Sequence, residues 1–334
     1  MLVGLSEKRR SRAGQRSTDG GHNQPPVFKA KFSLAVDLLD PEICTQHAPS
    51  QPTPFNFMRL PPQVAEVTVD KVWRYETPYP PLGFCPLVEG ALGNGDTFGL
   101  YWPIGLEERE PIVVETWHDS WRIQPTYASL SSFLAALAKA DDEYPEPPSL
   151  VEDARSPRAL LEDAKRKVQA QAVVEAVALL EKALDVLPEY TEALCLLWAQ
   201  YVRQGRMDEA LAIAVKAIIA PPSFGSRATR SLRWLQERGE APTLEHDPIW
   251  QARAELKLSY GGAKENGDYA IYRAAIQAYL NASRYVEASM LMQTYAELMH
   301  AETVSFQERQ GFVKADFVAA QIAASGKLPH GPRA

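Results

Sequence analysis

Glu115, His118 and Asp119, within the segment ETWHDSW, are side chains that move protons, and their closeness in the chain suggests acid–base chemistry. A single histidine beside carboxylates at a strand end is, however, more often a turn or surface residue. Nothing else completes a catalytic set. The other histidines, His22, His47, His246, His300 and His330, show no metal-ligand spacing. Neither a glycine loop for phosphate nor a nucleophile elbow is present, and Gly20-Gly21 and Gly261-Gly262 read as loop glycines. The expectation is a protein with no catalytic residues, no metal and no cofactor: not an enzyme.

The same stretch suits recognition better. Trp102, Trp117 and Trp121, with Tyr101, are interleaved with Glu107, Glu108, His118 and Asp119. Aromatic anchors ringed by acids make a hot spot for a basic protein surface. Alternate aromatics on strands also suit the core of a small domain. Because His118-Asp119-Ser120 is polar and loop-like, Trp121 and the acidic turn are expected to face outward. The expected partner-binding set is Trp102, Glu107, Glu108, Trp117, His118, Asp119 and Trp121.

The elements that position this set read as α+β. Gly93-Asn94-Gly95-Asp96 is turn chemistry, since Asn and Gly tolerate positive φ. Thr97 to Trp102 reads as the strand it releases. Glu107 to Glu110 is a charged turn, Ile112 to Trp117 a second strand, and Trp121 to Ile123 a short third. Ser129 is placed to cap a short helix ending near Lys139. Upstream, Val27 to Phe32 and Ala65 to Trp73 alternate like strands around a proline-crowded loop from Pro49 to Pro62, and Pro78 to Pro81 is a further turn. Residues 27–140 are thus expected to hold a small antiparallel or mixed sheet with one short helix. Residues 1–26, rich in Arg, Ser, Gly and Gln, read as a disordered basic arm. Residues 141–156, opening DDEYPEPPS, read as a linker.

Beyond the linker the period becomes helical. In Ala172 to Leu187, Val173, Val174, Val177, Leu180, Ala183, Leu184 and Leu187 make one apolar face, stopped by Pro188. Thr191 to Arg203 is another helix, Gly205 breaks it, and Met207 to Ala220 is a third, stopped by Pro221-Pro222. Thr191 to Pro222 resembles a tetratricopeptide repeat through Leu197, Tyr201, Gly205, Ala210, Ala217 and Pro222. Trp198 departs from the family, which prefers a small residue there. One repeat length back, Ala176, Leu180, Ala183 and Pro188 fit a second helix, with Lys167 where an aromatic is usual. Downstream, Tyr272, Tyr279, Tyr285, Glu287 and Ala288 look like another unit, with Ser283 replacing the turn glycine. Helical segments over Gly225 to Glu237 and Pro248 to Leu256 match less well. The resemblance, over about residues 157–300, implies an all-α array of roughly six to eight helices within residues 157–328, with 329–334 as a tail. Such arrays present a groove for a peptide, or pack on their own neighbouring domain.

A second resemblance lies in Pro86 to Leu137. The Gly93-Asn94-Gly95-Asp96-Thr97-Phe98-Gly99-Leu100 hairpin, Pro111-Ile112-Val113-Val114, His118-Asp119 and the Ser129-to-Leu134 helix start, in that order, are similar to the SUKH superfamily of bacterial immunity proteins. The family's usual N-terminal helix is not evident before Pro86. The likeness implies a protein that binds and neutralises a toxin domain, often a nuclease. The alternative function is a scaffold, adaptor or chaperone gripping a peptide or partner protein.

Composition is compatible with either. The 334 residues suffice for about two domains, and 46% are hydrophobic. With 35 basic against 42 acidic side chains, the net charge is −7; an acidic surface suits a basic protein partner and argues against nucleic acid. Cys44, Cys85 and Cys195 are scattered and odd in number, as in a reducing compartment. No secretory signal or run of about 20 apolar residues is visible. The expected location is the cytoplasm, without a membrane partner.

Overall fold

The computed structural model describes residues 79–91, 95–140, 145–260 and 266–329. The expected basic arm, the strands around residues 27–32 and 65–73, the loop at 49–62, Gly93-Asn94 and Cys44 lie outside the described residues. Four strands, β1 (Phe84–Ala91), β2 (Thr97–Tyr101), β3 (Ile112–Trp117) and β4 (Arg122–Tyr127), form an antiparallel sheet in chain order. α1 (Leu130–Leu137) follows, its first turn closed by Ser129, whose hydroxyl accepts from Ser132 N. The α+β expectation holds, and so does the helical half after it.

The two middle strands are apolar on both faces because both faces are covered. Phe98, Leu100, Val113 and Tyr127 pack with Leu130 and Phe133 of α1. Residues of the opposite parity, Phe84, Tyr101, Ile112, Val114 and Ile123, join a core with the helices that follow. Gly99 sits on that second face opposite Pro86, and an added Cβ would stand 2.3 Å from the Phe84 ring. Only glycine lets β1 and its phenylalanine approach so closely.

Ten α-helices follow among the described residues: α2 (Pro157–Gln169), α3 (Val173–Val186), α4 (Thr191–Gln204), α5 (Met207–Ile219), α6 (Thr229–Gln236), α7 (Pro248–Ala252), α8 (Asp268–Asn281), α9 (Tyr285–His300), α10 (Val304–Arg309) and α11 (Lys314–Ser325). This exceeds the six to eight expected because short helices, with five residues in α7 and six in α10, fill the chain between the long ones. One turn recurs. Gln171, Gly205, Ser283 and Gly311 take φ of 60°, 71°, 58° and 65°. After each, the next N–H returns to the carbonyl five residues back: Ala172 to Lys167, Arg206 to Tyr201, Arg284 to Tyr279 and Phe312 to Gln307. This bond closes the last turn of a helix on a left-handed residue. The α4–α5 and α8–α9 pairs share more than the turn. Arg206 lies 4.0 Å over Tyr201 and pairs with Glu209, while Arg284 lies 4.5 Å over Tyr279 and pairs with Glu287.

The described part of the expected linker, residues 145–156, is tied to the sheet at Asp153 and Ser156 rather than free. Ser156 is buried and donates to the Thr126 carbonyl at 2.6 Å while capping α2. Asp153 accepts from Ala128 N at 2.8 Å. The sheet is held against the helices as well: the Tyr101 hydroxyl donates to Glu189 at 2.7 Å, and Ile104 N donates to the same oxygen at 2.8 Å. Both halves thus share one core. No helix among the described residues is long and apolar enough to cross a membrane.

Candidate functional site

The β3–β4 hairpin ends in His118-Asp119-Ser120-Trp121, and a polar run there must face water or a partner. His118 and Asp119 are exposed and Trp121 is half-buried. Trp121 has φ of 53°, a conformation that is costly for a bulky side chain. It is held by its surroundings. Its ring stacks on Tyr79, with centroids 6.1 Å apart, and lies 4.6 Å from the His300 ring at the end of α9. The Tyr79 hydroxyl donates to the Arg122 carbonyl at 2.7 Å and accepts from Trp117 N at 3.1 Å, so both strands of the hairpin end are clamped. Burial pushes the Tyr79 phenol well above its ordinary range, which keeps it a hydroxyl donor.

His118 does not meet Glu115. Its Nδ1 lies 2.8 Å from Asp96 Oδ1, and its N–H donates to the same oxygen at 2.9 Å. Glu115 instead faces Arg158 of α2 at 3.8 Å. The acid–base trio suggested by spacing is therefore not assembled. Asp96, His118 and Asp119 bring one ligand atom each within 4.8 Å of one another, at an exposed edge where acidic groups commonly gather without an ion. Cys195 is no nucleophile in waiting: burial pushes its thiol up to about 11.

The seven residues of the expected partner-binding set fall into two groups at opposite ends of the sheet. Trp117, His118, Asp119 and Trp121 lie at one end. Trp102, Glu107 and Glu108 lie on the loop after β2, at the other. Trp102 is fully buried beside α1, and Glu107 is buried with its Oε1 accepting from Gly105 N at 2.9 Å. Those two are corrections. A tryptophan closing a strand that is covered on both faces goes inward, and Glu107 turns back to cap its own loop. Glu108 is exposed.

Beside Trp121 a hollow of about 280 Å³ opens between the start of β4, the 3-10 turn Pro222–Phe224 and α9. Tyr79, Trp121, Arg122, Ser223, Arg227 and Glu297 line it. Glu297 accepts from Ser223 N at 3.1 Å, Ser223 Oγ at 2.8 Å and Gln293 Nε2 at 2.9 Å. Burial nevertheless dominates those bonds and pushes its carboxyl up to about 7. Burial, then Lys314, lowers the His300 imidazole, favouring its neutral form against Trp121. Sequence reading found none of Tyr79, Asp96, Arg122, Ser223, Arg227, Glu297 or His300 as site residues. They come from elements as far apart in the chain as Tyr79 and His300, joined by no motif. The structural residues are placed as helix packing requires: Leu197, Tyr201, Ala210 and Ala217 are buried, Gly205 carries the turn, and Pro222 opens the 3-10 turn that presents Ser223.

Residues 68–146 match the YfbP N-terminal domain family and residues 259–328 the YfbP C-terminal domain family. YfbP of Escherichia coli (strain K12), itself described as uncharacterized, is 36% identical over 237 residues, covering 70% of this chain and 84% of the relative. The hollow therefore joins the two matched regions, with Tyr79 and Trp121 from the first and Glu297 from the second.

Proposed function

The chain belongs to the YfbP family, and we propose that it is a non-catalytic protein-binding protein whose binding surface is the hairpin end around His118, Asp119 and Trp121. The observation that carries this reading is the rigid mounting of Trp121. An aromatic side chain fixed between Tyr79 and His300, next to an exposed carboxylate, loses little entropy on binding. In the narrower form of the proposal the partner is a basic toxin domain that the chain neutralises in the cytoplasm. Support for it comes from the SUKH-like order of hairpin, strand and capped helix, and from the net charge of −7. Purified chain titrated against the toxic activity of such a partner, nuclease activity first, is expected to inhibit it stoichiometrically. A toxin that is bound without loss of activity would end the immunity reading while leaving the binding reading intact.

A scaffold of tetratricopeptide type is the second reading. The matching turns at Gly205 and Ser283, each followed by an arginine over a tyrosine, favour it. The loop after β2 already covers part of the array: Arg109 donates to the Asp185 carbonyl at 2.9 Å, and an added Cβ on Gly105 would stand 3.1 Å from Val286 of α9. A peptide gripped by the array must therefore use another of its surfaces. Binding that survives loss of the hairpin surface would select this reading.

A further inference from the structure

We propose that the outer face of α11 is the contact through which two copies of this chain pair, with their α11 helices antiparallel. This goes beyond the toxin-binding reading and uses a different face of the molecule. The inner face of α11 is accounted for. Phe317, Gln321, Ala324 and Ser325 are buried, the Phe317 ring lies 5.2 Å from Tyr295 of α9, and Gln321 donates to Gln293 of the same helix at 3.2 Å. The outer face has no such partner among the described residues. At about 100° per residue, Ala315, Val318, Ala319, Ile322, Ala323 and Gly326 fall within one arc of roughly 140°, and no charged or polar side chain lies inside it. Ala315, Ala319, Ala323 and Gly326 are exposed; Val318 and Ile322 are half-buried and join none of the apolar cores. A surface helix ordinarily turns charges outward, as α2 does with Glu162 and Arg166, and a helix that is apolar on both sides belongs between two layers.

The pattern and its flanking charges say what the second layer is. Two α11 helices run antiparallel bring Ala315 opposite Gly326, Val318 opposite Ala323 and Ala319 opposite Ile322. Each bulky side chain then meets a small one, and the axes can approach to about 8 Å. Asp316 and Lys327 lie along one flank of the arc at opposite ends of the helix. Both are exposed, neither forms an ion pair among the described residues, and Lys327 lies 5.9 Å over the Tyr285 ring. In the antiparallel register Asp316 of one copy stands about 3 Å along the axis from Lys327 of the other, so the two-fold axis generates two Asp–Lys pairs. A parallel pairing would set Asp316 against Asp316 and Lys327 against Lys327. A lipid surface fits less well, because interfacial helices carry large apolar side chains and a strongly basic polar face. A helix of 12 residues is about 18 Å long, so the contact is small, below about 1,200 Å², and the dimer is expected at micromolar rather than nanomolar concentration.

The test is sedimentation velocity on the full chain, loaded from about 1 to 300 µM to span that affinity range. The weight-average mass should rise from that of one chain toward that of two. Ala319→Glu, at an exposed position in the middle of the face, should weaken association about tenfold or more, since it places a carboxylate in an apolar contact. Asp316→Lys and Lys327→Glu should each weaken it about fivefold, because each turns both ion pairs into like-charge contacts. The two changes shift net charge in opposite directions, so net charge cannot account for both losses. An equimolar mixture of the two single variants should recover wild-type association, since the mixed dimer restores both pairs. Asp316 and Lys327 are too far apart on one helix for that recovery to arise within a copy. Circular dichroism would verify that each variant is folded. A single-chain mass at every concentration, as a cover from within the chain or a lipid surface would give, would overturn the proposal. So would a dimer indifferent to Ala319→Glu, or single-charge variants that do not recover on mixing.

Discussion

Glu297 illustrates how the hollow is held together at the scale of single residues. Its carboxyl is pushed from the ordinary carboxylate range to about 7 because burial outweighs the three bonds it accepts. A folded-state pKa raised above the unfolded one gives stability that is fully present below about pH 4.5 and is lost as pH rises through about 7. Wild-type chain should therefore be less stable at pH 8 than at pH 5, by an amount of the order of 2–3 kcal/mol from this group. Glu297→Gln, which mimics the protonated acid, should flatten that difference; urea denaturation at the two pH values measures it. A difference that persists in the variant would assign it to other groups. The exposure of His118 and Asp119 was legible in the sequence because they sit where a strand signal stops, whereas Trp121, expected to face outward, is half-buried between Tyr79 and His300. From sequence Glu107 is expected to face outward with its turn, and Trp102 counts in the binding set although strand aromatics also suit a core. Whether a strand-end tryptophan goes in or out depends on which layers cover the sheet, and α1 lies about 30 positions downstream. Glu297 and Tyr79 had no local signal, since their roles arise only where β4 meets α9.

Among the elements, helical period and turn chemistry located α3, α4 and α5 to within a residue or two, because proline and glycine punctuate each of them. β1 was missed, and β4 only partly seen, for one reason. Both are edge strands, and each carries a proline, Pro86 and Pro125, that demotes it in a sequence reading but is tolerated at a sheet edge. The recurring helix turn gives a direct prediction. Gly205 has nothing within 4 Å of an added Cβ, so Gly205→Ala isolates the backbone cost of φ at 71° and should destabilise by about 1 kcal/mol. Ser283, at φ of 58° in the equivalent turn, should respond in the opposite sense: Ser283→Gly should stabilise by roughly 0.5–1 kcal/mol. Shifts in urea midpoint at constant slope would establish both. Gly205→Ala without effect would mean that the turn is not under backbone constraint.

Taken whole, the molecule departs most from what composition suggested. A proline-rich acidic stretch between a β region and a helical region reads as a boundary between independent domains. Instead Ser156 and Asp153 are tied to β4 and its exit, and Phe84, Tyr101, Ile112, Val114 and Ile123 share a core with Leu161, Leu180, Leu187, Leu197 and Phe224. The sheet lacks one of its two covers without the helices. Residues 79–329 are accordingly expected to unfold in one cooperative transition, with far-ultraviolet and tryptophan signals coincident in urea. Two separated transitions would show that the shared core contributes little. The same coupling means that variants of the full chain, rather than isolated halves, are the proper instruments for locating the binding surface.

The most direct test of that surface is quantitative capture from extract of the native host, comparing the wild-type chain with Asp119→Lys combined with Trp121→Ala, after circular dichroism shows the variant folded. The account predicts a positively charged protein retained by the wild type and reduced about tenfold or more by the variant, the loss expected when a hot-spot aromatic and its neighbouring charge are removed. Equal recovery of that partner by both chains would contradict the account and move the binding surface away from the hairpin end.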